Sequence, residues 1–139
     1  MKNLPRSFLL AALVAASALA LRAESALVGH KGLAGQALDA EAVKAVLLGK
    51  KVTLGGAHVV VVIAKTSESQ EQFLQQAVGM STSQFQNHWR RLFMTGGGSA
   101  PKIVENDAEA LKLAAETPGA VAILDKAKAE GLTVLATGK

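Results

Sequence analysis

The stretch Lys65-Thr66-Ser67-Glu68-Ser69-Gln70 sets one ammonium and three hydroxyls between an apolar run and a sequence of helical periodicity. If a helix begins near Ser67, its free first-turn N–H groups and the hydroxyls of Thr66, Ser67 and Ser69 converge on one point, together with the Gln70 backbone, and Lys65 stands at the strand end. Such a cluster suits an oxyanion, held by hydrogen bonds at the open edge of a sheet where ligands of α/β folds sit. The same residues also fit a plainer role. Ser67 with Gln70 three positions on is a capping-box pattern, and Glu68 brings negative charge to the place an anion would approach.

Other chemistry finds less support. Gly96-Gly97-Gly98 before Ser99 suggests a phosphate loop, but the run lacks the preceding strand, the following helix and the Lys-Ser/Thr pair at fixed spacing, so it reads as a surface connection leaving through Pro101. His30, His58 and His88 stand apart from one another and from cysteine or carboxylate partners at ligand spacing, so no metal is expected. No G-x-S-x-G elbow occurs, and the acids cluster at helix starts, where the helix dipole favours them, rather than in acid–base pairs. The chain is therefore expected to be a binding protein and not an enzyme, with no cofactor.

The elements that must position this cluster follow from composition and pattern. Lys2 and Arg6 precede an apolar run from Phe8 to Leu21, and small residues follow at Ala18, Ala20 and Ala23. This is the pattern of a secretory signal peptide over residues 1–23, cleaved after 20 or 23. The pattern leads to an expected periplasmic location, with no cysteine for a lipid anchor and no stable membrane insertion after cleavage. Removing Lys2, Arg6 and Arg22 leaves 12 basic against 11 acidic residues, so the high isoelectric point belongs mostly to the export signal. A near-neutral remainder with one Trp and no Tyr offers nucleic acid neither an electrostatic footprint nor a stacking platform. Residues 24–139 suffice for one domain, which without cysteine must rely on packing.

Residues 25–30 read as a strand running into a loop, and a short amphipathic helix follows Asp39 as N-cap and stops at Gly49. Residues 57–65 form a continuous β-branched run, a strand covered on both faces. Two helices follow, each opened by Ser-x-x-Gln. The first buries Phe73, Leu74, Ala77 and Val78; the second carries Phe85, Trp89, Leu92 and Phe93 at core spacing. A third helix within "DAEALKLAAETPG", residues 107–119, turns Leu111, Leu113 and Ala114 inward and stops at Pro118-Gly119. Residues 120–125 and 132–137 are the last strands. Strands separated by helices predict an α/β fold with a mixed or mostly parallel sheet flanked by helices.

With these elements placed, the words "AEAVKAVLLGKK", "QFLQQAVGMSTSQFQNHWRRLFMTGGGSAP" and "AAETPGAVAIL" occur in an order that resembles the substrate-binding proteins of bacterial phosphate ABC transporters, in a short single-lobe form of the periplasmic-binding-protein fold. The resemblance covers roughly residues 38 to 125. It implies phosphate transport, with inorganic phosphate or a similar oxyanion as ligand and a transporter or another envelope protein as partner. In that family the matching strand is followed by an arginine and then serine-glycine-threonine at a phosphate-binding helix start. Ser67 and Ser69 match the hydroxyl positions; Glu68 stands where the glycine would be, and Lys65 is the nearby cation in place of arginine. The resemblance also implies that "TGGGSAP" is a structural connector. Such receptors close two lobes around the ligand, whereas this chain supplies one, which leads equally to a non-transport periplasmic interaction or sensory module that keeps the fold without tight anion binding.

Overall fold

Val60 to Ala64 and Ala120 to Asp125 are apolar at nearly every position, as strands must be when both faces of their sheet are covered. The computed structural model describes residues 24–96 and 100–137. The expected signal peptide, and residues 97–99 of the glycine run, lie outside the described residues. In chain order the elements are β1 (Ser25–Gly29), α1 (Ala40–Leu47), β2 (Thr53–Leu54), β3 (Ala57–His58), β4 (Val60–Ala64), α2 (Glu68–Ala77) and α3 (Thr82–Met94). These are followed by β5 (Lys102–Val104), α4 (Asp107–Glu116), β6 (Ala120–Asp125) and β7 (Thr133–Thr137), with short 3-10 turns at Lys31–Leu33 and Lys126–Lys128.

Five strands form one sheet in the order β5-β4-β6-β1-β7. β4 runs parallel to both β5 and β6, while β1 is antiparallel to both β6 and β7. Four strands thus point one way and β1 is reversed between them. The architecture is α/β, a mixed and mostly parallel sheet flanked by helices, compatible with a single lobe.

Alternation along the strands divides the interior in two. Leu27, Val61, Ile63, Val121, Ile123 and Leu135 point to the face covered by α1, α2 and α3, where Val46, Leu47, Phe73, Leu74, Phe85 and Trp89 meet them. Ala26, Val28, Val62, Ala122 and Leu124 point the other way, onto α4. That helix approaches through Ala110 and Ala114, while Leu111 and Leu113 are only partly buried. All three residues expected to face inward thus pack on this core, Ala114 at the contact and Leu111 and Leu113 flanking it; the small side chains let the helix lie close.

Three readings change. The run from Ala57 to Lys65 is not one strand. β3 pairs with β2 across Gly55-Gly56 in a small hairpin, and at Val59 the chain passes from that hairpin to the main sheet. The crossing is marked by the Val59 N–H donating to the Val52 carbonyl and the Val60 N–H to that of Gly119. Gly119 is forced here, since its φ is +81° and a Cβ would run into the His58 carbonyl oxygen. Lys102–Val104, to which the sequence pattern assigns no element, is the edge strand β5. Phe93 is 54% exposed instead of core, because Leu92 takes the inward position in the last turn of α3 and Phe93 lies about 100° around the helix from it.

Candidate functional site

The cluster singled out from the sequence sits where β4 ends. Ser67 is the N-cap of α2, its Oγ accepting from the Gln70 N–H at 3.1 Å, and α2 lies over the sheet face of the larger core. The segment leaving β6, by contrast, packs Ala129 on the α4 side. β4 and β6 are neighbours whose carboxyl ends lead to opposite faces, the topology beside which α/β sheets commonly take ligands.

Gln70 closes the end of β4 on the side facing β6. Its side chain is 1% exposed. Its Oε1 accepts from the Ala64 N–H at 2.9 Å, and its Nε2 donates to the Ala64 carbonyl at 2.9 Å and to Thr82 Oγ1 at 3.2 Å. β6 pairs with β4 only at Val60 and Val61, so the carboxamide occupies the place a strand would take beside Ala64 and satisfies both of its backbone groups. The capping box expected at Ser67 is therefore only half formed: the serine caps, and the glutamine is drawn into the sheet. Ser81 and Gln84 form the complete reciprocal box at the start of α3.

The remaining members differ in availability. Lys65 and Thr66 are exposed and Ser69 is half-buried. The Lys65 Nζ is 2.9 Å from Glu105 Oε2, an ion pair with both side chains more than half exposed. The backbone N–H groups of Lys65 and Thr66 are used, donating to the carbonyls of Val104 and Glu105. Those of Glu68 and Ser69, and the hydroxyl protons of Ser67 and Ser69, find no acceptor among the described residues. A small anion at this helix start would thus meet two first-turn N–H groups and two hydroxyls, with the Lys65 ammonium nearby.

The rim is acidic. Glu68 is in the first turn of α2, and Glu105, Asp107 and Glu109 follow β5 at the same edge of the sheet. Asp107 Oδ1 is buried with no hydrogen-bond partner among the described residues. Glu105, the residue that most directly controls Lys65, was missed from sequence because the three-residue strand before it was missed. The signal available was Asn106-x-x-Glu109, an N-cap pattern directly after a β-branched pair: Asn106 Oδ1 accepts from the Glu109 N–H, and Glu109 Oε1 accepts from the Glu105 N–H.

The three histidines remain dispersed. His30 Nδ1 accepts from the Gly32 N–H, and His88 Nε2 lies 2.9 Å from the Leu48 carbonyl. No group of three His, Cys, Asp or Glu side chains among the described residues could hold a metal. An open groove of about 590 Å³ lies elsewhere, between α1, α2 and the edge strand β7, walled by Leu38, Val43, Phe73, Ala77, Val134 and Ala136. No helix among the described residues is long and apolar enough to cross a membrane. The chain matches no protein-family model and no curated protein at significant similarity.

Proposed function

We propose that this chain is an exported, substrate-binding-like protein related to phosphate uptake, which holds inorganic phosphate or a similar oxyanion weakly at the start of α2. The observation carrying this reading is the set of uncommitted donors, the N–H groups of Glu68 and Ser69 and the hydroxyls of Ser67 and Ser69, at the carboxyl end of β4. Thr66 extends the polar wall and Lys65 supplies charge. Gln70 acts indirectly, by fixing the strand end and offering its N–H to the cap. The ion pair with Glu105 is no bar, because a solvent-exposed pair is worth roughly 0–1 kcal/mol and opens readily. One lobe leaves the anion half in water, and the acidic rim opposes it, so the affinity belongs in the millimolar range, where it would suit a facing wall from a partner.

The test is thermal unfolding of the phosphate-free protein against phosphate, sulfate and small carboxylates. At a tenfold excess over Kd, binding to the native state adds about 1.4 kcal/mol, a shift of several degrees for a domain of this size. Ser67→Ala with Ser69→Ala should abolish the shift, and Glu105→Gln, which frees Lys65, should enlarge it. A flat response of the unmodified protein to every anion removes the proposal.

The groove beside β7 favours a second reading, an interaction or sensory module docking on another envelope protein. Its expected signature is a stable complex recovered from periplasmic extract whose yield does not depend on phosphate and falls with Val134→Glu at the groove wall. Absence of any cross-linked partner counts against it.

A further inference from the structure

The amino end of the parallel strands has the opposite character from their carboxyl end. Two long stretches of the chain, residues 42–67 and 72–104, contain no Asp or Glu. They contribute α1 from its third residue onward, the β2–β3 hairpin and the whole of α3. The ends of α1 and α3 are fastened together there: Trp89 Nε1 donates to the Leu47 carbonyl at 2.9 Å, and His88 Nε2 pairs with the Leu48 carbonyl. A Cβ on Gly49 would lie 2.5 Å from Leu92 Cδ2, so the turn after α1 runs hard against the last turns of α3. Lys50 and Lys51, which follow Gly49, and Arg90 and Arg91, on the solvent arc of α3, thus stand at one end of the molecule, four exposed cations of which none forms an ion pair with a carboxylate among the described residues. Glu116, at the end of α4, stands at the same end but on the other face of the sheet.

Favourable placement at helix carboxyl ends accounts for some of these cations. It does not account for Phe93, 54% exposed, and Met94, 77% exposed. At 3.6 residues per turn, Phe93, Arg90, Met94 and Arg91 follow one another around the solvent arc of α3, so apolar and cationic side chains alternate at its tip.

The geometry points to this tip, the last turn of α3 with Lys50 and Lys51, as a docking surface for an anionic phospholipid membrane. Complementary charge draws the protein to the headgroups, and Phe93 and Met94 enter the interface between them. A protruding pair of apolar side chains ringed by cations suits a yielding surface that opens around them; a protein partner would need a matching hollow. Docked in this way, the protein turns the carboxyl end of β4, with the start of α2, away from the membrane.

The test is co-sedimentation with vesicles of phosphatidylglycerol in phosphatidylcholine at low ionic strength, using the chain from Glu24, within which both cores are built between Ala26 and Ala136. Binding is expected to anionic vesicles and not to pure phosphatidylcholine, and to fall as salt rises. Each cation near an anionic surface contributes about a fivefold factor, so Arg90→Gln with Arg91→Gln should weaken partition on the order of tenfold or more. Lys50→Gln with Lys51→Gln should do the same without touching α3, and Phe93→Ser with Met94→Ser should weaken it severalfold at unchanged net charge. Lys126→Gln with Lys128→Gln, at the opposite end of the sheet, should leave it unchanged. No pelleting with anionic vesicles overturns the proposal. So does equal weakening by the Lys126 and Lys128 changes, and so does retention on a soluble polyanion such as heparin without vesicle binding.

Discussion

Two helices of the chain open on the same four-residue signature, Ser67-x-x-Gln70 and Ser81-x-x-Gln84, and fold it in two ways. At α3 the motif closes on itself at the surface, serine to the Gln84 N–H and glutamine to the Ser81 N–H. At α2 the serine makes the same bond, but the glutamine turns inward and binds the backbone of Ala64 and Thr82 Oγ1. What differs is the neighbourhood. α2 begins three residues after a strand whose far side has lost its partner, and a buried pair of backbone groups left unpaired costs more than a reciprocal cap returns. An N-terminal signature therefore specifies that a helix starts, while the nearest unmet hydrogen-bonding demand decides where its long side chain goes.

Substitutions can break this contrast. Gln70→Ala is expected to have the largest effect, about 3 kcal/mol, because it leaves the Ala64 N–H and C=O without partners in the interior. Ser67→Ala and Ser81→Ala should each cost about 1 kcal/mol, as lost caps do. Gln84→Ala should cost roughly 0.5 kcal/mol, since water replaces its exposed bond. Urea midpoints at constant slope measure all four. Equal costs for Gln70 and Gln84 would mean that the buried carboxamide contributes nothing beyond capping.

The same comparison explains what was legible in the sequence. Asp39, Ser67 and Ser81 were readable as caps because capping is local, set by a side chain and an N–H two or three residues on. The buried strands β4 and β6 were readable from their β-branched runs. The switch at Val59 was not, because it depends on where Val52 and Gly119 lie in space. Lys102–Val104 is too short to show a period and is a strand only because β4 lies beside it. Phe93 falls at helical spacing from Phe85 and Trp89, but it stands at the margin of the stripe that Phe85, Trp89 and Leu92 form, and spacing alone does not tell where that stripe ends. At the candidate site the hydroxyls were legible; the opposing carboxylate of Glu105, forty residues away in sequence, was not.

The two ends of the sheet form a second contrast, an acidic carboxyl end carrying the proposed anion site and a basic amino end carrying none, although bulk charge alone would place a phosphate at the basic one. The most direct measurement is therefore a phosphate titration of the ¹⁵N-labelled chain from Glu24, followed by amide chemical shifts. The account predicts saturable shifts centred on the N–H groups of Glu68 and Ser69, lost in Ser67→Ala with Ser69→Ala. Amides at the start of α2 that stay fixed while those around Arg90 and Arg91 move would contradict it, leaving only diffuse attraction to the cationic tip.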